Sequence, residues 1–210
     1  QMAVQGKLVE QNPNDEPASV LLERIREEKE KLIKEGKIKR NKKESIIFKG
    51  SDNLHYEKIG NEVKCIEDEI PFDIPDSWEW VRFGSISTYA DTKQEINAQY
   101  ADKDMWGLDL EDIEKGGRLI DRKTVGERKD IGDKTVFFKG DILYSKLRPY
   151  LLKILIAPEC GICTPEIVPF RMYGEIDIEY IVNFLKSPCV DNLAKRKRAL
   201  HFLYRPFGFI

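Results

Sequence analysis

The stretch Gly140–Ala157, GDILYSKLRPYLLKILIA, sets Lys146, Arg148 and Lys153 among apolar and aromatic residues, with no acid after Asp141. Tyr144, Ser145 and Tyr150 are interleaved with them. The two-residue period of a strand would put Tyr144, Lys146 and Arg148 on one face. Such a face suits a phosphate backbone. Ammonium and guanidinium groups neutralise phosphates, tyrosine and serine hydroxyls donate to phosphate oxygens, and an arginine fork matches guanine O6 and N7. Basic residues on the outer face of a half-buried strand are also ordinary solvated surface, so the residue types alone leave both readings open. The formal net charge of -2, from 35 basic and 37 acidic residues, does not decide between them. A local basic groove can persist on an acidic body.

Other constellations invite catalytic or metal readings. The acidic run ADKDMWGLDLEDIEKGG, with Asp102, Asp104, Asp109, Glu111, Asp112 and Glu114, could hold Mg2+ for nuclease chemistry. Its acids alternate with Leu108, Leu110 and Ile113 as an exposed face would, and no lysine stands at the spacing a metal-dependent nuclease uses. Cys160 and Cys163 form C-x-x-C, but a structural zinc would want a second ligand pair of similar spacing. Cys65 and Cys189 are isolated, and His55 and His201 are the only histidines. A thioredoxin-like site would open a helix after a strand. GICTPEIVPF reads instead as a strand interrupted by Pro165, which favours reduced core cysteines. GERKDIGDKT, the nearest approach to a phosphate loop, has five residues between Gly126 and Gly132 and inserts Asp133 before Lys134. That misplaces both the nested N–H groups and the lysine. No Ser, His and Asp set assembles from two histidines, and His55 reads as solvated. The expectation is a chain with no catalytic residue, no metal site and no cofactor.

The elements that must carry the basic island are legible in outline. Residues 1–48 read as a helical arm: NPNDEPASVLLERIREEKEKLIKEGKIKRNKKE has Asn14 or Asp15 as N-cap, Pro17 in the first turn and Gly36 as a stop. Leu22, Ile25 and Leu32, with Lys29 on the same seam, form one short stripe. This is the pattern of a helix laid on its own domain, with packing against a partner helix as the alternative. Residues 49–76, rich in polar turn residues and holding Pro71 and Pro75, read as a linker. SWEWVRFGSI follows as a short extended segment anchored by Trp78, Trp80 and Phe83. Beyond it, KTVFFKGDILYSKL predicts a hairpin turning at KGD, and LLKILIA and GICTPEIVPFRM predict further strands. IEYIVNFLKSP predicts a helix through Ile178, Ile181, Val182 and Leu185, and CVDNLAKRKRAL a second one.

The predicted body, residues 77–200, is therefore α+β, a mixed and mostly antiparallel sheet with flanking helices and the helical arm at its amino end. No run approaches the roughly 18 apolar residues of a membrane span, and QMAVQGKLVE lacks the layout of a signal peptide, so a cytoplasmic location is expected. The chain opens on Gln1, and residues 201–210, HFLYRPFGFI, close it on apolar residues. Both features suggest a piece of a longer protein.

GDILYSKLRPYLLK followed by GICTPEIVPFR, preceded by IPFDIPDSWEWVRFGSI and by the amino-terminal QMAVQGKLVEQNPNDEPASVLLERIREEKEKLIKEGKIK, resembles the first half of the specificity subunit of type I restriction-modification enzymes. The likeness runs in the same order from Gln1 to about Lys197. WGLDLEDIEKGGRLI, Trp106 to Ile120, is similar to the segment that often precedes the variable DNA-reading part. The resemblance implies a non-catalytic target recognition domain that reads one half of a split site on double-stranded DNA. It also implies partners: DNA adenine methyltransferase subunits that carry S-adenosylmethionine, and a restriction and translocase subunit that uses ATP. The family pattern continues into a long spacer helix and a second recognition domain, where this sequence has HFLYRPFGFI.

On this reading Lys146 and Arg148 are the central DNA contacts and Tyr144, Lys153, Lys93 and Arg122 supporting ones, while Thr164 and Glu166 are structural. Lys195–Arg198, KRKR, reads as a solvated helix end that can also reach phosphate. Two alternatives stay open. One is a protein-interaction module docking methyltransferase subunits through the arm and the Trp78–Trp80 segment; the other is the recognition domain of a fused restriction enzyme. A metal-dependent nuclease centred on Asp109 or Asp112 ranks last.

Overall fold

The computed structural model describes residues 2, 5–41, 44–91, 93–129 and 131–188. The predicted second helix CVDNLAKRKRAL, the basic run Lys195–Arg198 and residues 201–210 lie outside them. The chain divides into two compact units. One is built from Gln1–Asp91 and Met172–Glu175, the other from Thr92–Arg171 and the stretch that begins at Ile176. The boundary near Asp91 falls later than the sequence reading placed it.

In the first unit, helix α1 spans Ala18–Lys34. Pro17 is its N-cap, in extended conformation, rather than a first-turn residue. Proline drives the residue before it out of the helical region, so Asn14 and Asp15 cannot cap. They belong to a separate turn in which the Asn12 side-chain amide donates to Asp15. The otherwise unpaired Ala18 N–H donates to the Ser77 carbonyl. The helix closes as expected at Gly36, φ +70°. Lys37 N–H donates to Leu32 O and Gly36 N–H to Ile33 O, which pairs two of the last free carbonyls. Ala18, Leu22, Ile25 and Lys29 form the buried stripe. Lys29, an interruption in the apolar pattern, is held by Glu44 Oε1 at 2.5 Å and the Ser85 carbonyl at 3.2 Å, with its ammonium 5.6 Å from the Tyr173 ring centroid.

The arm does not stay helical to residue 48: its last residues form β1 (Ser45–Lys49), and the stretch read as linker carries β2 (His55–Ile59) and β3 (Glu62–Cys65), the three paired antiparallel in that order. Gly60–Asn61 is a two-residue hairpin turn with Gly60 at φ +58°. His55 is half-buried and its Nδ1 lies 2.8 Å from Glu67, so it is not merely solvated. On the inner face Glu57 and Glu69 grip Arg82: Nε donates to Glu57 Oε1 at 2.7 Å, Nη1 to Glu69 Oε2 at 3.1 Å, and Nη2 closes the fork on Glu57. SWEWVRFGSI contains no strand. It leads into the single helical turn α2 (Phe83–Ile86), with Trp80 buried beside Phe72, ring centroids 5.2 Å apart.

The second unit holds strands β4 (Glu95–Asn97), β5 (Trp106–Leu108) and β6 (Lys123–Thr124), the helical turn α3 (Val125–Arg128), strands β7 (Asp133–Phe137), β8 (Ile142–Ser145), β9 (Ile154–Ile156), β10 (Gly161–Cys163) and β11 (Ile167–Phe170), and helix α4 (Ile178–Leu185). A five-stranded sheet runs in the order β4-β7-β10-β5-β6, and a three-stranded sheet in the order β11-β8-β9. All pairings are antiparallel except β10 with β5, so the fold is α+β with mostly antiparallel sheets. Trp106, Leu108, Phe137 and Cys163 from the first sheet pack with Leu143, Leu155 and Ile167 around the second. Ala98, Val125 and Ile162 form a smaller cluster. Alternation explains the split: Phe137 and Cys163 point into one cluster, and Ile162 with the half-buried Val136 into the other.

The predicted hairpin does not form. β7 and β8 exist where expected, but β7 already has β4 and β10 as neighbours, and β8 pairs with β9 and β11. The KGD turn hands the chain from one sheet to the other. Asp141 accepts from Phe138 N–H at 2.9 Å, Gly140 adopts φ +88°, and Gly140 N–H donates to Ala157 O. GICTPEIVPF likewise splits at Thr164–Glu166 into strands of different sheets. Pro169 is tolerated because β11 is an edge strand. α4 is capped by Asp177, whose carboxylate accepts from Tyr180 N–H, and buries Ile181, Val182, Phe184 and Leu185.

Candidate nucleic-acid interface

β8 ends at Ser145, so the period-2 argument that aligned Tyr144 with Lys146 and Arg148 stops one residue short of Lys146. Beyond it the chain forms a knuckle. Lys146 N–H donates to the Glu166 carbonyl at 2.9 Å, and Ser145 Oγ donates to the Leu147 carbonyl at 2.9 Å. Arg148 adopts φ 49°, ψ 60°, Pro149–Leu151 make one 3-10 turn, and Leu152 adopts φ 51°, ψ 40°. Leu151 O accepts from Gly116 N–H, and Ser145 N–H donates to Lys153 O. The backbone is thus tied at both ends while Lys146, Leu147, Arg148 and Tyr150 are exposed.

Of the six expected DNA contacts, the structure brings Lys146 and Arg148 together on this knuckle. Tyr144 sits half-buried in the central strand of the smaller sheet, opposite Val168 and Ile154, and burial raises the pKa of its hydroxyl. The half-buried Lys153 donates its ammonium to the Leu110 carbonyl at 2.8 Å. Lys93 precedes β4 and Arg122 precedes β6, the two opposite edges of the larger sheet, so these cations do not share a surface patch. Arg122 is also ion-paired with Glu159, which lowers the pKa of that carboxyl.

Pairing separates the basic residues of this unit. Arg118 bridges Glu114, Lys123 bridges Asp121, and Arg171 bridges Asp141. Among the described residues Lys146 and Arg148 have no ion pair within 4 Å, as is also true of the exposed Lys103, Lys115, Lys129 and Lys139. What sets Lys146 and Arg148 apart is their placement beside Leu147, 51% exposed, and Tyr150, 58% exposed. Sequence reasoning missed Leu147, because an isolated leucine after a strand reads as core.

Within the acidic run Asp102, Asp104, Glu111 and Glu114 are exposed as expected, but Asp109 is half-buried and Asp112 is not on that face. Asp112 is 1% exposed and accepts from its own turn at Asp109 N–H, 2.8 Å, and from Arg128 Nη2. Arg128 also donates to the Gly107 carbonyl at 2.7 Å and to Asp109 at 3.2 Å. Asp109 and Asp112 thus pack around the Arg128 guanidinium. Among the described residues no group of three or more His, Cys, Asp or Glu is placed to hold a metal. Of the C-x-x-C pair, Cys163 is core and burial pushes its thiol up to about 12, whereas Cys160, like Cys65, is exposed and so departs from the expected core placement. No helix of the described residues is long and apolar enough to cross a membrane.

No family model matches the chain. Among solved structures it is similar to the HsdS subunit from Thermoanaerobacter tengcongensis, with a TM-score of 0.50 and 18% identity over 62% of this chain and 34% of that one. It is also similar to a chain from a structure on complex assembly and conformational transition of the type I R-M system, with a TM-score of 0.52 and 18% identity over 61% and 34%. The fold is therefore one found in HsdS subunits. Among curated proteins it is 32% identical over 204 residues to the type I restriction enzyme EcoEI specificity subunit of Escherichia coli, covering 90% of this chain and 30% of that subunit. It is 46% identical over 89 residues to the EcoAI specificity subunit of the same organism, covering 42% of this chain and 12% of that one. By sequence the chain is similar to the specificity subunits of type I restriction enzymes, and it spans less than a third of the EcoEI subunit's length.

Proposed function

We propose that this chain reads one half of a bipartite double-stranded DNA site as the recognition part of a type I restriction-modification specificity subunit. The observation that carries the reading is the match to a specificity subunit over 90% of the chain. The exposed Lys146–Arg148 knuckle supports it physically: two cations with no ion pair within 4 Å among the described residues, on a backbone held by hydrogen bonds, lose little on meeting phosphate. The chain itself does no chemistry on this reading. Adenine methylation belongs to methyltransferase subunits and ATP-dependent cleavage to a restriction subunit, both of which would dock elsewhere on the whole protein.

Selection of bound duplexes from a random pool, followed by affinity at two salt concentrations, tests this. Enrichment of one short motif with salt-weakened binding is expected. Salt-sensitive binding without enrichment reduces the knuckle to a basic surface, and absence of binding overturns the reading.

A second reading has one observation in its favour. The outer face of the β1-β2-β3 sheet carries Ile46, Phe48 and Val63, all exposed, with Tyr56 between them, which suits a protein partner. The Trp78–Trp80 segment suits that role less, because Trp80 is buried and Trp78 donates its indole N–H to Gln11.

A further inference from the structure

Positive φ at Arg148 and Leu152 is conformationally costly for side-chain-bearing residues, and an ordinary connecting turn would place Gly or Asn there. The sequence places neither. The two ends of the knuckle are fixed by Lys146 N–H to Glu166 O and Gly116 N–H to Leu151 O, so the strained backbone is held rather than relaxed. What the strain displays is an aliphatic side chain between two cations. Leu147 is 51% exposed while its own carbonyl is held by Ser145 Oγ, and Tyr150 stands on the far side of Pro149, also exposed. A leucine here contributes little to the core that a polar residue would not.

Resting on the DNA reading above, we propose that Leu147 is a wedge. It enters the bound duplex between two stacked base pairs, with Arg148 and Lys146 against the flanking sugar-phosphate walls and Tyr150 covering the exposed base edge. An apolar side chain supported by cations on a rigid turn is the arrangement that unstacks a base step and bends the duplex. The wedge makes recognition depend on how easily one step opens, favouring pyrimidine–purine steps at a position that carries no hydrogen bond to the protein. The Glu166 carboxyl, its pKa lowered chiefly by the Thr164 hydroxyl and further by the Lys146 charge, tempers Lys146 without an ion pair within 4 Å, and its backbone carbonyl accepts from Lys146 N–H.

The experiment uses the full chain and a duplex from the selected pool, with 2-aminopurine substituted at each position in turn. Wild type is expected to raise emission several-fold at one step only. Leu147→Ala should abolish the rise and change affinity by less than about tenfold with an unaltered salt slope, because the unstacking cost disappears with the contact. Leu147→Met should restore the rise. An unchanged thermal midpoint in both variants will show that the fold is intact, as expected for an exposed side chain. Binding by wild type without a rise at any position, or an equal rise in Leu147→Ala, overturns the wedge and leaves DNA reading intact. Failure of wild type to bind any duplex overturns both.

Discussion

Lys146 and Arg128 illustrate opposite uses of a positive charge. Lys146 makes no ion pair within 4 Å among the described residues, only a longer-range interaction with Glu166, and on the proposed DNA reading Lys146→Glu is expected to weaken DNA binding across all sequences and lower the salt slope by about 1, as read from affinities over a salt series. Arg128 is buried against Asp112, and Arg128→Ala would leave that carboxylate uncompensated in the interior. A loss of about 3 to 5 kcal/mol in urea unfolding is expected, with no selective effect on base preference. Glu57 supplies a pH test. The Arg82 guanidinium bonded to it holds its carboxyl below the usual carboxylate range, so the folded state gives up that proton more readily than the unfolded chain. The stability this pair contributes is fully present above the unfolded glutamate value, about 4.3, and is lost as pH falls through the depressed folded value. Urea midpoints measured from about pH 6 to about pH 3 should therefore fall more steeply in wild type than in Glu57→Gln.

Turns decide where each strand of this protein goes. The KGD segment would have closed a hairpin if β7 had a free edge; with both edges occupied, the same residues pass the chain to a second sheet. Strand identity was readable from Thr135–Phe137 and Ile142–Tyr144, whereas strand partner depended on residues far away. Gly161 marks a comparable dependence. It lies opposite both Trp106 and Phe137, and a Cβ there would stand 2.5 Å from the Trp106 carbonyl oxygen and 2.5 Å from the Phe137 ring. Those two rings meet edge to face at 5.2 Å. Gly161→Ala should cost about 1 to 3 kcal/mol, measured as a lowered thermal midpoint, because backbone rather than a movable side chain blocks the methyl group. The knuckle gives the reverse trade. Arg148→Gly removes a left-handed arginine worth about 1 to 2 kcal/mol of strain, partly offset by glycine's greater unfolded freedom, so stability should hold or rise by up to about 1 kcal/mol while DNA binding falls. Loss of both would remove the case for a side chain retained at a structural cost.

Two charges on one turn set a modest scale for binding. With Lys146 and Arg148 as the phosphate contacts, the plot of log affinity against log salt should have a slope of about -2. A slope near zero would be inconsistent with phosphate contact. The chain spans 30% of the EcoEI subunit, and on the proposed DNA reading residues 1–210 tested alone should bind more weakly than two tethered recognition domains by roughly 10^2 to 10^4-fold.

The amino-acid order alone determined the α1 stripe, its glycine stop, β7 to β11, α4 and the likeness to specificity subunits, because these rest on local periodicity and on contiguous motifs. It also contained a signal that went unread: Ile59-Gly60-Asn61-Glu62 is a two-residue hairpin turn, obscured by the charged residues around it because β3 is exposed along its whole length. Tertiary structure alone decided the rest. Whether a carboxylate is a surface group or the buried mate of Arg128, whether Lys153 faces solvent or the Leu110 carbonyl, and whether Lys93 and Arg122 share a face all depend on pairings between strands distant in sequence. No local pattern encodes those pairings, because each is settled by competition for the open edges of two sheets.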